Sequence, residues 1–518
     1  MHANHLGVLL SGLLVSATSA SASSILFSGG TVIAFNRTSN SLEVIRNGSV
    51  LVTDDRITSV FANSSPPSSV SVPSDVEEVD ITDKILTPGF IDTHRHGWQT
   101  AYKTLGSNTS LVDYFNRFGE FATAALYPLD SDEVYYSQLA GLYESLNAGV
   151  TTTLDHAHHT FSDSTSLAGL RASIDSGARV FWAYAFHNVT NYTLEQQFAN
   201  YRSIASNASY SNTPTTLGVA YDGFGPNPNT TIITTLLDLI RESNASVLTT
   251  HSVAGPYGVT NSPEDFSSLS LFSQLPPTTP VVFSHASFLS PVGAQLLRTH
   301  NHTISITPES EMHYGHTHPT SHLIQDFASL GVDTHFTFST DILTQARLWL
   351  QSVRRLLYTQ VLDRWEVPVN NPMSANQAFL LATRNGGVSL RRDDLGVIAP
   401  GAKADLVIWD GTSPGMLGWW DPVAAVILHA NVGDVEGVLV DGRWKKRDGR
   451  IVDKKYEEVK ERFLEIARAV QERVIARAGE IGLPKEGERF QSGFEFGNTT
   501  TVDVVPGDGE DGYGGLFL

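Results

Sequence analysis

The feature that most constrains the fold of this chain is a change in hydrophobic pattern that begins at Ile85. From Ile85 to about Asp394, short apolar runs alternate with longer segments of helical spacing. Repeated strand and helix units of this kind build a parallel sheet covered by helices. The segment is long enough for eight units, so the sequence predicts an α/β fold with a (β/α)8 TIM-like barrel over residues 85–394. Functional residues in such barrels collect at the carboxyl ends of the strands.

Seven strand candidates in this segment have polar residues at their ends. They are Thr87 to Thr93, Thr151 to Asp155, Arg179 to Phe186, Ser246 to Thr250, Val281 to Phe283, Thr303 to Thr307 and Thr334 to Ser339. We interpret the first as strand one, the next two as strands three and four, and the last four as strands five to eight.

Short strand patterns also flank the barrel on both sides. Residues 23–84 and 395–451 contain apolar runs separated by turns rich in Asn, Gly and Asp. We expect the two segments to form one small β-sandwich domain, into which the barrel is inserted. A helical pattern within residues 452–496 predicts a helix packed on the barrel exterior, and residues 497–518 are predicted to be a flexible tail.

The amino terminus has the pattern of a secretory signal. An apolar stretch from Gly7 to Val15 precedes Ala20-Ser21-Ala22, which fits a signal-peptidase site. The stretch is too short to cross a bilayer, which needs roughly 20 residues. We therefore predict a signal peptide at residues 1–22 and no membrane span after its removal.

The chain also contains eleven Asn-x-Ser/Thr sequons, which support export from a eukaryotic cell. They lie at Asn36, Asn47, Asn63, Asn108, Asn188, Asn191, Asn207, Asn229, Asn244, Asn301 and Asn498. The expected protein is secreted and N-glycosylated.

Composition excludes several classes of function. A formal charge of -20 opposes binding to nucleic acids and anionic membranes, since both need basic patches. The chain has no cysteine, which excludes disulfides, thiolate metal ligands and a cysteine nucleophile. The expected partner is a small molecule, and the sequence leaves open whether the chain forms a homo-oligomer.

The residues that suggest chemistry are histidines and an aspartate at strand ends. His94 and His96 end an apolar strand, and residues two apart in a strand share a face. Both imidazoles can therefore point into the mouth of the barrel. His251 follows strand five, His285 follows strand six and Asp341 follows the predicted strand eight.

In these residues the chain resembles the amidohydrolase superfamily. Further matching motifs are Pro88-Gly89-Phe90-Ile91-Asp92-Thr93 before His94, Gly149-Val150-Thr151-Thr152, and Leu395-Gly396 to Pro400-Gly401-Ala402-Lys403-Ala404-Asp405-Leu406. The resemblance covers most of the chain. It implies that His94, His96, His251 and Asp341 bind a catalytic divalent metal, zinc or alternatively iron.

The sequence further suggests a single metal. Many binuclear relatives bridge two metals with a carbamylated lysine at the end of strand four. This chain has no lysine between Lys103 and Lys403, and Arg179 to Phe186, our strand four, has no carboxylate to replace it. The resemblance is therefore to the mononuclear branch, which contains cytosine and S-adenosylhomocysteine deaminases and chlorohydrolases.

The resemblance implies hydrolysis of a non-peptide carbon–nitrogen bond, by deamination or amide hydrolysis. The metal activates water, Asp341 accepts its proton, and His285 orients the water or polarises the substrate. One alternative is a metal-dependent decarboxylase or lyase of a secondary metabolite on the same fold. Another is a non-catalytic secreted relative.

The chain departs from the family at one acid. Many related deaminases have a glutamate three residues after the strand-five histidine, where this chain has Ala254. Glu309 and Glu311, in the loop after strand seven, are the candidate replacement acids. Residues expected to contact substrate are Trp98, His156, His158, His313 and His316.

Overall fold

Two sheets organise the chain, one made from its middle and one from its ends. The structure is a computed structural model, and it describes residues 24–207, 210–258 and 260–478. The predicted signal peptide at 1–22, the sequon at Asn498 and the predicted tail at 497–518 lie outside the described residues.

The strands lie at both ends of the chain and alternate with helices between them. The strands are β1 (Ser24–Asn36), β2 (Ser41–Thr53), β3 (Arg56–Ala62), β4 (Glu77–Asp80), β5 (Ile85–Pro88), β6 (Phe90–Arg95), β7 (Val150–Ala157), β8 (Arg179–Phe186), β9 (Thr216–Tyr221), β10 (Leu248–Ser252), β11 (Val281–His285), β12 (Thr303–Ile306), β13 (Ala328–Leu330), β14 (Leu406–Trp409), β15 (Val435–Val440), β16 (Arg443–Arg447) and β17 (Arg450–Ile451). The α-helices are α1 (Leu111–Arg117), α2 (Glu120–Leu126), α3 (Ser131–Asn147), α4 (Asp163–Ser176), α5 (Leu194–Ser206), α6 (Thr230–Ser243), α7 (Pro263–Ser268), α8 (Leu271–Gln274), α9 (Pro291–His300), α10 (Pro308–His313), α11 (Ile342–Leu362), α12 (Ala375–Ala382), α13 (Arg384–Ser389), α14 (Pro422–Ala424) and α15 (Tyr456–Ala478).

The middle of the chain forms the predicted (β/α)8 barrel. Strands β6 to β13 pair in chain order in one parallel eight-stranded sheet. The segment after β13 closes the ring, because the backbone N–H groups of Val332 and Asp333 donate to the carbonyl of His94 at 3.0 and 2.8 Å. This closure brings Asp333 beside the end of the first barrel strand.

The barrel corrects two of the strand assignments made from sequence. The fourth strand is β9, which the sequence analysis missed, so β7 and β8 are the second and third strands rather than the third and fourth. The eighth strand is β13, whereas residues 334–339 form no strand. A strand of three residues is too short to show a periodic pattern.

The two ends of the chain share a nine-stranded sheet, as expected from the flanking strand patterns. Strand β1 pairs with β2 in antiparallel and with β5 in parallel orientation, and β14 pairs antiparallel with both β5 and β15. Phe27, Val32, Leu86 and Leu439 are among the buried side chains of this unit. The amino-terminal and carboxyl-terminal segments therefore fold as one unit.

A buried ion pair joins this sheet to the barrel. Arg179, at the start of β8, donates from Nε and Nη2 to the two carboxylate oxygens of Asp405 at 2.8 and 3.0 Å. Arg179 also contacts Asp441, and both Arg179 and Asp405 have side chains only 4% exposed. The aspartate of the Ala404-Asp405-Leu406 motif thus has a structural partner in the barrel.

The last described helix packs against the outside of the barrel. Ile466, Val470 and Val474 of α15 share a buried cluster with Trp98 and Tyr102. This matches the helix predicted within residues 452–496, of which the part after residue 478 lies outside the described residues. In the described part of the chain, no helix combines the length and apolarity that a membrane span requires.

Candidate metal centre and cavity

The two histidines at the end of the first barrel strand direct their Nε2 atoms towards the barrel mouth. The Nδ1 atom of His96 lies 2.9 Å from the carbonyl oxygen of His156, to which it can donate, and Nδ1 of His94 lies 2.8 Å from Oγ of Ser284. These bonds fix each ring and leave its Nε2 lone pair available. Nε2 of His94 is buried and has no hydrogen-bond partner.

An aspartate faces these two nitrogen atoms. Oδ1 of Asp333 lies 3.4 Å from Nε2 of His94 and 3.1 Å from Nε2 of His96, while Oδ2 accepts a hydrogen bond from Ser310 at 2.5 Å. Burial alone would raise the pKa of Asp333, but the two histidines hold it well below its ordinary value. Asp333 is therefore a carboxylate, the form that binds cations.

Asp341, the aspartate chosen from sequence, lies elsewhere. It precedes helix α11, where its side chain accepts hydrogen bonds from the backbone N–H of Thr344 and from Ser339. This is the ordinary role of an aspartate at a helix N-cap. The structure therefore places Asp333, rather than Asp341, with the histidines, because the eighth strand ends at residue 330.

His251 supplies the third imidazole. Its Nε2 lies 3.2 Å from Nε2 of His96, and its Nδ1 donates to Oδ2 of Asp222 at 2.8 Å. Burial would lower the pKa of His251, but Asp222 overrides it and raises the pKa to about 9 in the metal-free protein. A carboxylate behind a histidine in this way orients the ring of a metal ligand.

These side chains fit a divalent cation. The candidate ligand atoms of His94, His96 and Asp333 lie within 4.8 Å of one another, as do those of His94, His251 and His285. Imidazole and carboxylate ligands around an open position suit zinc or iron in a catalytic site. The unpartnered Nε2 of His94 is the observation that most directly calls for a cation here.

His285 also reaches this centre from the sixth strand. Its Nδ1 lies 2.9 Å from Oγ1 of Thr307 and 3.6 Å from Oε1 of Glu311, which leaves Nε2 for the site. The backbone of His285 has a φ of 69°, which non-glycine residues rarely adopt. Strain of this kind concentrates at functional sites.

The fourth strand ends in a carboxylate, which corrects the sequence analysis. Asp222 follows β9, and it accepts from both the backbone N–H and Nδ1 of His251, at 2.7 and 2.8 Å. His156 approaches the same carboxylate at 3.6 Å. Arg179 to Phe186 has no carboxylate but is the third strand, so the prediction that strand four lacks one is wrong. A single metal stays a prediction that rests on the absent lysine.

A cavity of about 300 Å³ opens above the candidate ligands. Its aromatic wall consists of Tyr114, Phe115, Phe121, Phe186, Tyr221 and Tyr314. His96, His251, His285 and Asp333 are exposed at its base, and the described residues that line it include no lysine or arginine. The cavity can thus hold a small, largely apolar molecule against the candidate metal ligands.

Three of the five residues expected to contact substrate line this cavity, namely His156, His158 and His316. Trp98 and His313 do not. Trp98 is fully buried and donates from Nε1 to Nδ1 of His158 at 2.9 Å, so it orients that histidine from behind. His313 points to the carbonyl of Gly106 at 3.2 Å instead.

Neither of the two acids proposed from sequence lines the cavity. Glu309 exchanges hydrogen bonds with Gln345, and burial raises its pKa to about 7. Burial alone would also raise the pKa of Glu311, but the neighbouring imidazoles of His285, at 3.6 Å, and His318, which is hydrogen-bonded at 3.2 Å, lower it to about 2. Glu311 therefore remains ionised and holds His285 in place, so it is unsuited to act as an acid.

Sequence reasoning missed three carboxylates at the site. Asp222 follows the short apolar run Thr216–Tyr221, which could have identified it, whereas the strand Ala328–Leu330 before Asp333 is too short to show a pattern. Glu120, the first residue of α2, lines the cavity as well. No local sequence pattern distinguishes Glu120 from a surface glutamate.

The barrel and its ligand set define a metal-binding hydrolase. Residues 85–445 match the model of the amidohydrolase family, and the chain belongs to that family. It is accordingly a hydrolase that acts on carbon–nitrogen bonds other than peptide bonds.

Known proteins agree with this assignment. A 5'-deoxyadenosine deaminase of Methanothermobacter thermautotrophicus is 25% identical over 437 residues, which cover 80% of this chain and 92% of the relative. Among solved structures, a zinc-bound adenosine deaminase of Xanthomonas campestris superposes with a TM-score of 0.71 at 16% identity, covering 87% of this chain and 98% of the other. An atrazine chlorohydrolase of Arthrobacter aurescens with zinc and atraton gives a TM-score of 0.72 at 18% identity, covering 86% and 100%. These two structural likenesses support the fold.

Proposed function

We propose that this protein deaminates a small aminated heterocycle by hydrolysis, using one bound zinc ion. The observation that carries the proposal is that His94 groups at ligand distances with His96 and Asp333 and also with His251. His96, His251 and Asp333 line a cavity with aromatic walls. When bound, zinc lowers the pKa of a water molecule towards neutrality and so supplies a nucleophile.

The cavity wall suggests a flat substrate. Aromatic side chains such as Phe115, Phe186 and Tyr221 offer faces on which a planar ring can stack. Curated relatives with the names 5'-deoxyadenosine deaminase and 5-methylthioadenosine/S-adenosylhomocysteine deaminase support an aminated purine or a similar ring.

The charges of the cavity favour neutral or cationic substrates. Its described lining contains the carboxyl groups of Glu120, Asp222 and Asp333 but no lysine or arginine. An anionic group on the substrate would have no cationic side chain there with which to pair. We therefore expect substrates without a carboxylate or phosphate to be preferred.

Ammonia release from a small panel of compounds tests the proposal. The panel contains 5'-deoxyadenosine, 5'-methylthioadenosine, S-adenosylhomocysteine and a melamine-type triazine, with the His94→Ala variant as a control. We expect release from at least one uncharged compound, weaker release from S-adenosylhomocysteine, and none from the variant. Ammonia release that is equal in wild type and variant would contradict the proposal.

Isotope labelling distinguishes hydrolysis from the lyase alternative. In water labelled with ¹⁸O, deamination places one labelled oxygen on the carbon that lost nitrogen. A decarboxylase or lyase that uses the same metal would form product without that oxygen. Unlabelled product would therefore move the assignment to the lyase class.

We also propose that the protein is secreted and N-glycosylated. Of the ten sequon asparagines within the described residues, nine are exposed and Asn36 is half-buried, so an oligosaccharide transferase could reach the mature surface. Expression in a eukaryotic secretory host should give a product in the medium whose mass falls on treatment with an N-glycosidase. Retention inside the cell without glycans would overturn this proposal.

A further inference from the structure

We propose that Glu120 transfers protons to the substrate during hydrolysis, in place of the acid that is missing at position 254. The inference rests on the proposed hydrolytic function. It adds the residue that transfers protons to the substrate. The candidate metal ligands do not reveal which residue this is.

The backbone at position 254 is poorly suited to a glutamate. Ala254 has φ 59° and ψ −152°, a conformation that residues with a longer side chain rarely adopt. Its neighbour Val253 lines the cavity, whereas Ala254 does not. A proton-transferring group must therefore come from a different element.

Only three carboxyl groups belong to the described lining of the cavity, those of Glu120, Asp222 and Asp333. Asp222 is held by two donors of His251, and Thr250 Oγ1 adds a third at 3.0 Å. Asp333 faces the metal-binding nitrogen atoms of His94 and His96. Glu120 is therefore the one carboxyl group of the described lining that neither faces the candidate metal ligands nor holds one of them in place.

The environment of Glu120 suits proton transfer near neutral pH. Burial raises its pKa to about 7, and the charged groups that act on it are His251, which lowers the pKa, and Asp222, which raises it. The neighbouring phenol of Tyr114 is itself buried, with a pKa well above its ordinary value, and so stays neutral. A carboxyl group with a pKa near the working pH can both accept and donate a proton efficiently.

The histidines of the cavity are weaker candidates. Burial lowers the pKa of His156 and His158 well below the ordinary value and that of His316 to about 3. They are therefore neutral and poor acids. His158 also accepts the indole N–H of Trp98 at Nδ1, which leaves it a donor at Nε2 only.

The proton balance of the reaction defines the task of Glu120. Water forms a bond from its oxygen to the carbon that carries the amino group, and Glu120 takes one water proton and delivers it to the adjacent ring nitrogen. The carbon–nitrogen bond then breaks, and the second water proton passes through Glu120 to the departing amino group, which leaves as ammonia. One water is consumed, one ammonia is released, and Glu120 is regenerated.

Kinetics of the metal-loaded protein test this role. With the uncharged compound that releases ammonia fastest, Glu120→Gln should lower kcat by about 10²- to 10⁴-fold with little change in KM or zinc content. Formate should partly restore the activity of Glu120→Ala, because a small acid can enter the space that the side chain leaves. Glu309→Gln is the matched control. Glu309 is half-buried and its pKa is close to that of Glu120, but it does not line the cavity, so this variant should keep the kcat of the wild type.

A second measurement does not depend on activity. Infrared spectra of metal-free wild type and Glu120→Gln are recorded from about pH 5 to about pH 9. The wild type should show one more carboxylic acid group titrating near pH 7 than the variant, since Glu309 and Asp92, whose pKa values are also raised to about 7, are common to both proteins. If no panel compound releases ammonia, the proposed function fails while this titration still reports on Glu120. An unchanged kcat in Glu120→Gln, a parallel loss of zinc, or a carboxyl group ionised over the whole pH range would each overturn the inference.

Discussion

The imidazole of His251 donates from Nδ1 to Asp222 at 2.8 Å, and this bond holds its Nε2 atom 3.2 Å from Nε2 of His96. Two nitrogen lone pairs at that distance repel each other unless a proton or a cation lies between them. Asp222 thus links the fourth barrel strand to the metal centre without being needed as a ligand.

Replacing Asp222 by asparagine should weaken metal binding. The variant loses the negative charge that orients His251 and makes it more basic, and loss of such a partner lowers metal affinity about 10- to 100-fold. Competition with a chelator above about pH 9, where His251 is deprotonated, measures the effect. Asp238→Asn, on the exposed face of α6 beside Arg241, is the matched control and should leave the affinity unchanged. Equal affinities in both variants would contradict this role.

The affinity for zinc should rise with pH up to about 9. Burial opposes protonation of His251, but Asp222 raises its pKa to about 9, so a proton competes with the metal below that pH. Affinity should therefore increase about tenfold per pH unit between about 7 and 9. In the metal-free protein the same shift stabilises the fold below about pH 6.5, and that contribution is lost as the pH rises through about 9. A flat pH profile would show that His251 is not protonated in the free site.

The Arg179 ion pair should contribute strongly to stability. Arg179→Ala leaves the buried carboxylate of Asp405 without its partner, which typically costs about 3–5 kcal/mol. Arg298→Ala is a suitable control, since its bidentate pair with Asp326 is 40% and 54% exposed and should contribute less than about 1 kcal/mol. Denaturant unfolding followed by tryptophan fluorescence compares the two. A similar small loss in both variants would mean that the sheet and the barrel do not depend on Arg179.

Glu311 should stabilise the fold in a pH-dependent way. Its pKa is lowered from 4.5 to about 2, so its contribution is present above about pH 4.5 and is lost as the pH falls towards 2. Glu311→Gln should lower the free energy of unfolding by roughly 2–4 kcal/mol at neutral pH, and by progressively less below pH 4.5. Glu309→Gln, on the same helix, should have a small effect at neutral pH, because burial raises its pKa to about 7. Urea unfolding at several pH values measures both, and a loss that is independent of pH in Glu311→Gln would contradict this account.

The sequence predicted the barrel, the shared terminal sheet and the first two histidines because each has a strong local pattern. His94 and His96 lie two apart at the end of an apolar strand, and residues at that spacing share one face of the strand. The segment from Leu395 to Leu406, which follows the barrel and contains Asp405, likewise has a regular strand and turn pattern.

Some of the remaining site residues could not be identified from sequence, because only the closure of the barrel and the packing of its helices bring them together. Phe336 and Phe338 alternate with threonines, which is typical of a strand, yet they lie in a turn after β13. Because of that pattern, the sequence predicted the eighth strand at residues 334–339 instead of 328–330. The aspartate after the predicted strand was therefore Asp341 and not Asp333. Glu120 could not be predicted at all, because only the folding of α2 against the barrel mouth brings it to the cavity.

The central claim is that Asp333 completes the metal centre with His94, His96 and His251. Elemental analysis of purified wild type, Asp333→Ala and Asp341→Ala, with circular dichroism to verify folding, tests it most directly. We predict about one zinc per chain in wild type and Asp341→Ala, and little or none in folded Asp333→Ala. Zinc retained by Asp333→Ala and lost from Asp341→Ala would contradict the account.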